Sequence, residues 1–144
     1  MLMVEISEIK KRVRLMIDHS RRTAVERRTR VASETRVGEQ VLRQLVAPVF
    51  KSVAAALKAE GYLFRVSTPV DAVRMSAEAF GDNFIELVFD TTSVQSALRG
   101  RVSRLRGSRL LVEERVVSEG PELGTLTEEE VLEFLLGELR QFVE

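Results

Sequence analysis

Between Thr35 and Gly61 the apolar positions Val41, Leu42, Leu45, Val46, Val49, Phe50, Val53, Ala54 and Leu57 recur at i, i+1, i+4 and i+5, which is the period of a helix. They cover more than half of its circumference, whereas a surface helix needs an apolar stripe only about 100° wide, so this helix is expected to pack on more than one side. Lys58 in the last turn and Gly61 just beyond it mark the C-terminal end. Pro48 interrupts the pattern. It removes one backbone hydrogen bond and crowds the carbonyl of Gln44, so a kink or short break is expected there.

Upstream, residues 3–32 read as a long helix, about 45 Å at 1.5 Å per residue, with Val4, Ile6, Ile9, Val13, Met16 and Ile17 along one face. The stripe then thins to Ala24 and Val31 while Arg21, Arg22, Arg27, Arg28 and Arg30 crowd the same stretch. Ile17, Ala24, Val31, Gly38 and Leu45 stand at seven-residue spacing, a weak coiled-coil signal because the intervening positions are mostly polar. Ser33–Gly38, with a serine, a threonine and a glycine, is the expected joint between the two helices, the alternative being a single continuous helix through this region.

After Gly61 the period falls to two. Tyr62–Thr68 alternates as a strand that Pro69 ends, Val70–Ala77 alternates again, and Gly81-Asp82-Asn83 is a turn. Phe84–Thr91 is the strongest strand, residues 93–98 fit a helical turn as well as a loop, and 98–105 and 109–117 form a hairpin about Arg106-Gly107-Ser108. A loop over 118–124 leads to Thr127, whose spacing to Glu130 is that of a capping box, with Leu126 and Val131 placed as a staple. The helix that follows, from Glu128 to about Val143, presents Val131, Leu132, Leu135, Leu136, Leu139 and Phe142 to the core. The fold class is therefore α+β: two N-terminal helices, the first long and basic, an antiparallel meander of four to five strands, and a C-terminal helix packed on the sheet. Residues 1–34 form a basic arm suited to oligomerisation and residues 35–144 a single α+β domain.

A chain of 144 residues suits that one domain. The absence of cysteine excludes disulfides, thiolate metal sites and thiol nucleophiles, and suits a reducing compartment. Glu5 and Glu8 near the N-terminus argue against a signal peptide, and no run of 18 apolar residues would span a membrane, so a cytoplasmic location away from membranes is expected. Net charge is zero but unevenly spread. Residues 1–60 carry 13 basic and 7 acidic side chains, whereas residues 101–144 carry 6 and 10. Such asymmetry fits a polyanion-binding arm, complementary surfaces within an oligomer, or simple composition bias toward arginine, which supplies 18 of the 22 basic residues.

Catalytic chemistry finds little support. His19 is the only histidine and has no recognisable set of partners, so a solvated side chain is the expected role. Asp71, Asp82, Glu86 and Asp90 could gather about a cation, but their spacing is that of solvent-facing strand positions and no calcium-loop pattern is present. Phe50, Phe64 and Phe89 could line a pocket beside Pro48, though core is their expected place. No catalytic residue, metal site or cofactor is assigned, and no motif carries a named activity.

The expected function is a non-enzymatic protein that self-associates as a homodimer through Ile6, Ile9, Val13, Met16, Ile17, Ala24 and Val31, and presents a surface to a protein partner. The alternative is nucleic-acid binding, with polyanion contacts from Arg21, Arg22, Arg27 and Arg28 on the helix and from Arg99, Arg101, Arg104 and Arg106 on the hairpin. Neither basic cluster is interleaved with aromatic residues for base stacking.

Overall fold

Residues 6–40 contain no proline and a single glycine, and they form one helix, α1 (Ile6–Gln40). The computed structural model describes residues 3–92 and 95–143. By compactness the chain divides into Met1–Ser33 and Glu34–Glu144, so α1 begins in one unit and ends in the other. The joint expected at Ser33–Gly38 does not form. Gly38 lies buried inside the helix, where a Cβ would come within 2.6 Å of the Phe89 ring, so this glycine serves close approach and makes no turn.

The break comes later, as a π-helical turn over Val41–Val46 ahead of α2 (Ala47–Ala59). Ala47 donates its N–H to the carbonyl of Leu42, five residues back. Pro48 then falls in the first turn of α2, where its missing N–H is tolerated, and the wider turn before it relieves the crowding at Gln44. At the other end Gly61, with φ +91°, closes α2. The Tyr62 N–H donates to the Leu57 carbonyl at 2.9 Å and the Gly61 N–H to that of Lys58 at 3.0 Å, the paired bonds of a Schellman cap.

Five strands follow in sequential antiparallel order: β1 (Phe64–Ser67), β2 (Ala72–Ala77), β3 (Phe84–Asp90), β4 (Ala97–Arg106) and β5 (Arg109–Glu119). β2 begins two residues later than the alternation suggests. Val70 and Asp71 occupy a turn closed by the Ala72 N–H on the Pro69 carbonyl, with Asp71 at φ +57°. Ser93 and Val94, within the ambiguous 93–98 stretch, lie outside the described residues. The β4–β5 hairpin turns tightly on Gly107, with Arg106 paired to Arg109. Between the Leu98–Ser118 and Arg99–Val116 pairs the register shifts, which leaves Val117 as an extra residue in β5.

A short 3₁₀ turn (Gly120–Thr125) leads to α3 (Glu128–Val143). The capping box is closed in both directions. The Glu130 N–H donates to the Thr127 hydroxyl oxygen and the Thr127 N–H to the Glu130 carboxylate, each at 3.2 Å.

One face of the sheet carries the core. Val73, Met75, Ile85, Leu87, Phe89, Leu98 and Val102 pack with Leu42, Val46, Phe50 and Val53 and with Val131, Phe134, Leu135 and Leu139. Each large apolar side chain buried in this way contributes roughly 1.5–3 kcal/mol. Phe50 and Phe89 are therefore core, and Phe64 meets Phe142 edge to face at 6.5 Å between centroids. Two residues of α3 exchange their expected places. Leu136 is 49% exposed, and Phe134 is buried instead because Gly100 of β4 leaves room for its ring.

That fit gives a direct test. A Cβ at position 100 would lie 2.6 Å from the Phe134 ring, so Gly100→Ala is expected to destabilise the protein by about 1–3 kcal/mol. Adding Phe134→Leu should recover part of that loss. Thermal unfolding checks both, and an unchanged midpoint for Gly100→Ala would show that the ring moves aside freely.

Candidate functional site

Alternation along the strands sends a second set of side chains to the sheet face opposite the core. Cross-strand register aligns Arg74 with Glu86, Glu86 with Arg101, and Arg101 with Glu114, so one row of alternating charge crosses four strands. Glu86, in the middle of the most apolar strand, is only 1% exposed. The Arg74 Nε donates to its Oε2 at 2.8 Å and the Arg101 Nη1 to its Oε1 at 3.2 Å. Both carboxylate oxygens are thereby held. Arg101 also donates through Nε to Glu114 Oε1 at 2.7 Å, and this bond, with the charge of Glu86 behind it, raises the guanidinium pKa above its ordinary value. Arg74 lies over the Phe84 ring, 4.1 Å from its centroid, which fixes the outer end of the row.

A second cluster sits at the end of β3. The Thr92 hydroxyl and N–H donate to Asp90 Oδ1 at 2.6 and 2.8 Å, and the Arg99 Nε donates to Oδ2 at 2.9 Å. These bonds, the Thr92 hydroxyl foremost, hold the Asp90 carboxyl down to about 2, against the opposing effect of its burial. Asp90, Thr92, Arg99, Arg101 and Glu114 line a depression of about 590 Å³. Within it Arg99 pairs with Asp90 and Arg101 with Glu114, whereas Asp71, which also lines it, has no ion-pair partner among the described residues.

The residues expected to act together are distributed as follows. Ile6, Ile9, Val13, Met16 and Ile17 lie along α1 and are between 36% and 65% exposed; Ala24 is exposed too, and Val31 is half-buried. Arg21, Arg22, Arg27 and Arg28 are exposed on the same helix and have no ion-pair partner among the described residues. The hairpin arginines do not form one stripe. Arg99 and Arg101 point to the charged face and are ion-paired there, while Arg104 and Arg106 belong by alternation to the opposite face. Of the four acids weighed as a cation cluster, Glu86 is no solvent-facing strand residue: it is buried between two arginines, and Asp90 is held by Thr92 and Arg99. Among the described residues no group of three His, Cys, Asp or Glu side chains is placed to hold a metal ion, and no helix is long and apolar enough to cross a membrane. Sequence pattern alone misses the ion-pair row because it depends on register across strands. Its one visible signal is an acid flanked by Ile85 and Leu87 in the best strand.

No protein-family model, curated protein or solved structure matches the chain.

The row also sets an order of stabilities. Arg74 and Arg101 are 33% and 41% exposed, so they keep access to water if Glu86 is changed, whereas Glu86 loses all compensation if both arginines go. Replacing both with Ala is expected to cost about 3–5 kcal/mol. Glu86→Gln should cost less. Urea titration compares the two, and a larger loss in the Gln variant would contradict burial of the carboxylate as the governing cost.

Proposed function

We propose that this protein is a non-enzymatic, cytoplasmic interaction module that self-associates through α1. The observation that carries this reading is the exposed stripe of Ile6, Ile9, Val13 and Met16, spaced 3, 4 and 3 residues apart. This is the a/d spacing of a coiled coil, with Ile17 widening the seam. A helix cannot cover its own stripe, and leaving five large apolar side chains in water forgoes roughly 1 kcal/mol or more for each one that pairing would bury. A second copy supplies the same stripe, and isologous pairing is the simplest closed arrangement. Neutrality over the whole chain, with a basic N-terminal and an acidic C-terminal region, supports pairing between copies rather than general attraction to polyanions.

In the full-length chain, Ile9→Glu with Val13→Glu places charge in the seam at exposed positions and should leave circular dichroism unchanged. Sedimentation is expected to show that association through α1 is lost, as a smaller average mass than that of the native chain at the same concentration. Unchanged association would remove α1 as the interface.

A second reading rests on Arg21, Arg22, Arg27 and Arg28, which lack ion-pair partners among the described residues, unlike Arg99 and Arg101. Such a helix could follow a phosphate backbone. Duplex DNA should then bind at low salt, and replacing the four arginines with Gln should flatten the salt dependence by about 0.9 log unit for each phosphate that is no longer neutralised. Wild-type protein that leaves DNA unbound at low salt would exclude this reading.

A further inference from the structure

β5 is the longest strand of the sheet, with 11 residues, and it lies at an edge. The opposite edge, β1, has only four residues, which limits what can pair with it. β5 also keeps Leu110, Leu111, Val112 and Val116 between 43% and 53% exposed. A long edge of that kind needs either a partner or a device that prevents pairing.

The direction of its free backbone groups follows from the ladder. Leu105 donates its N–H away from β5, to Asn83 Oδ1 at 2.7 Å, so the Leu105–Leu110 pair is one that exchanges no hydrogen bonds. The N–H and C=O of Leu110 therefore point outward along the open edge, and by alternation so do those of Val112, Glu114 and Val116. The extra residue at Val117 ends this regular series.

We infer that β5 pairs with β5 of a second copy in antiparallel register about a two-fold axis at Glu114. This register sets Val112 opposite Val116 of the partner subunit and Glu113 opposite Arg115 of the partner subunit, each pair occurring twice. Val112, Glu114 and Val116 all belong to the outward series, so the backbone bonds can form. Glu113 has no ion-pair partner among the described residues, and Arg115, 60% exposed, lies 5.0 Å from the Phe134 ring centroid and 3.6 Å from Glu138. The unpaired acid thus meets a guanidinium that is still open to solvent, at the close, non-hydrogen-bonded spacing. On the axis Glu114 meets its own copy, but each carboxylate is already held by Arg101 at 2.7 Å, so the like charges are compensated. Sliding the register by one pair in either direction would set Glu113 or Arg115 against itself. The charges of β5 thus admit a second copy in this register and oppose its neighbours. The contact is separate from the helix seam, and it joins two sheets into one of ten strands.

The experiment uses the full chain carrying Ile9→Glu and Val13→Glu, so that only the strand contact can operate, with sedimentation as the readout and circular dichroism as the fold control. That protein is expected to remain dimeric. Adding Val112→Pro, at a position whose N–H is not used within the chain, should give monomers of unchanged secondary structure. Glu113→Arg alone and Arg115→Glu alone should each weaken the dimer at least tenfold, and the double exchange should restore it. A monomeric helix variant, a dimer indifferent to Val112→Pro, or a double exchange without recovery would each overturn the inference. Val112→Pro on the otherwise native chain tests the helix separately: dimers there uphold pairing through α1, and monomers contradict it.

Discussion

The closing of Arg74 and Arg101 on the buried carboxylate of Glu86 is the interaction on which the sheet depends. A meander with its helices on one side can satisfy one face with apolar packing, and here α2 and α3 meet that face through Phe50, Val53, Phe134 and Leu135. The central strand still has two faces, and its inward neighbours Ile85 and Leu87 fix the register that turns Glu86 the other way. A buried carboxylate without partners would be costly. Two guanidiniums from adjacent strands satisfy both of its oxygens and, through Arg101, tie β5 to the row by way of Glu114. The cross-strand ion pairs therefore give the open face a defined arrangement.

Both proposed contacts lie outside this closed system. The core is complete within residues 37–142, so neither the apolar stripe of α1 between Ile6 and Ile17 nor the exposed side chains of β5 belong to it. Apolar groups left over in this way, next to charges that complement their own copies, favour association with like chains over capture of a small molecule.

Much of the fold is legible in the sequence because its signals are local. The capping box at Thr127, the Gly61 cap, the turn at Gly107 and the strand about Ile85 each arise from residues a few positions apart, and each forms as the pattern implies. The failures come where a distant contact decides the outcome. Gly38 reads as a joint because a glycine in a helical pattern suggests a stop, but its role is to admit the Phe89 ring from across the core. Phe134 is missed for the same reason, since its burial depends on Gly100 some thirty residues away. Pro48 does break the helix, though as a π-helical turn ahead of it. The charged row is hidden because Glu86, Arg101 and Glu114 look like ordinary alternating polar positions until register places them side by side.

If the chain works as an assembly of copies, its mass in solution must depend on concentration. Light scattering on the purified full-length protein, measured across a range of concentrations during size exclusion at moderate salt, tests this most directly. Self-association predicts at least twice the mass of one chain at high concentration, falling toward that of a single chain on dilution. A single-chain mass at every concentration would contradict it.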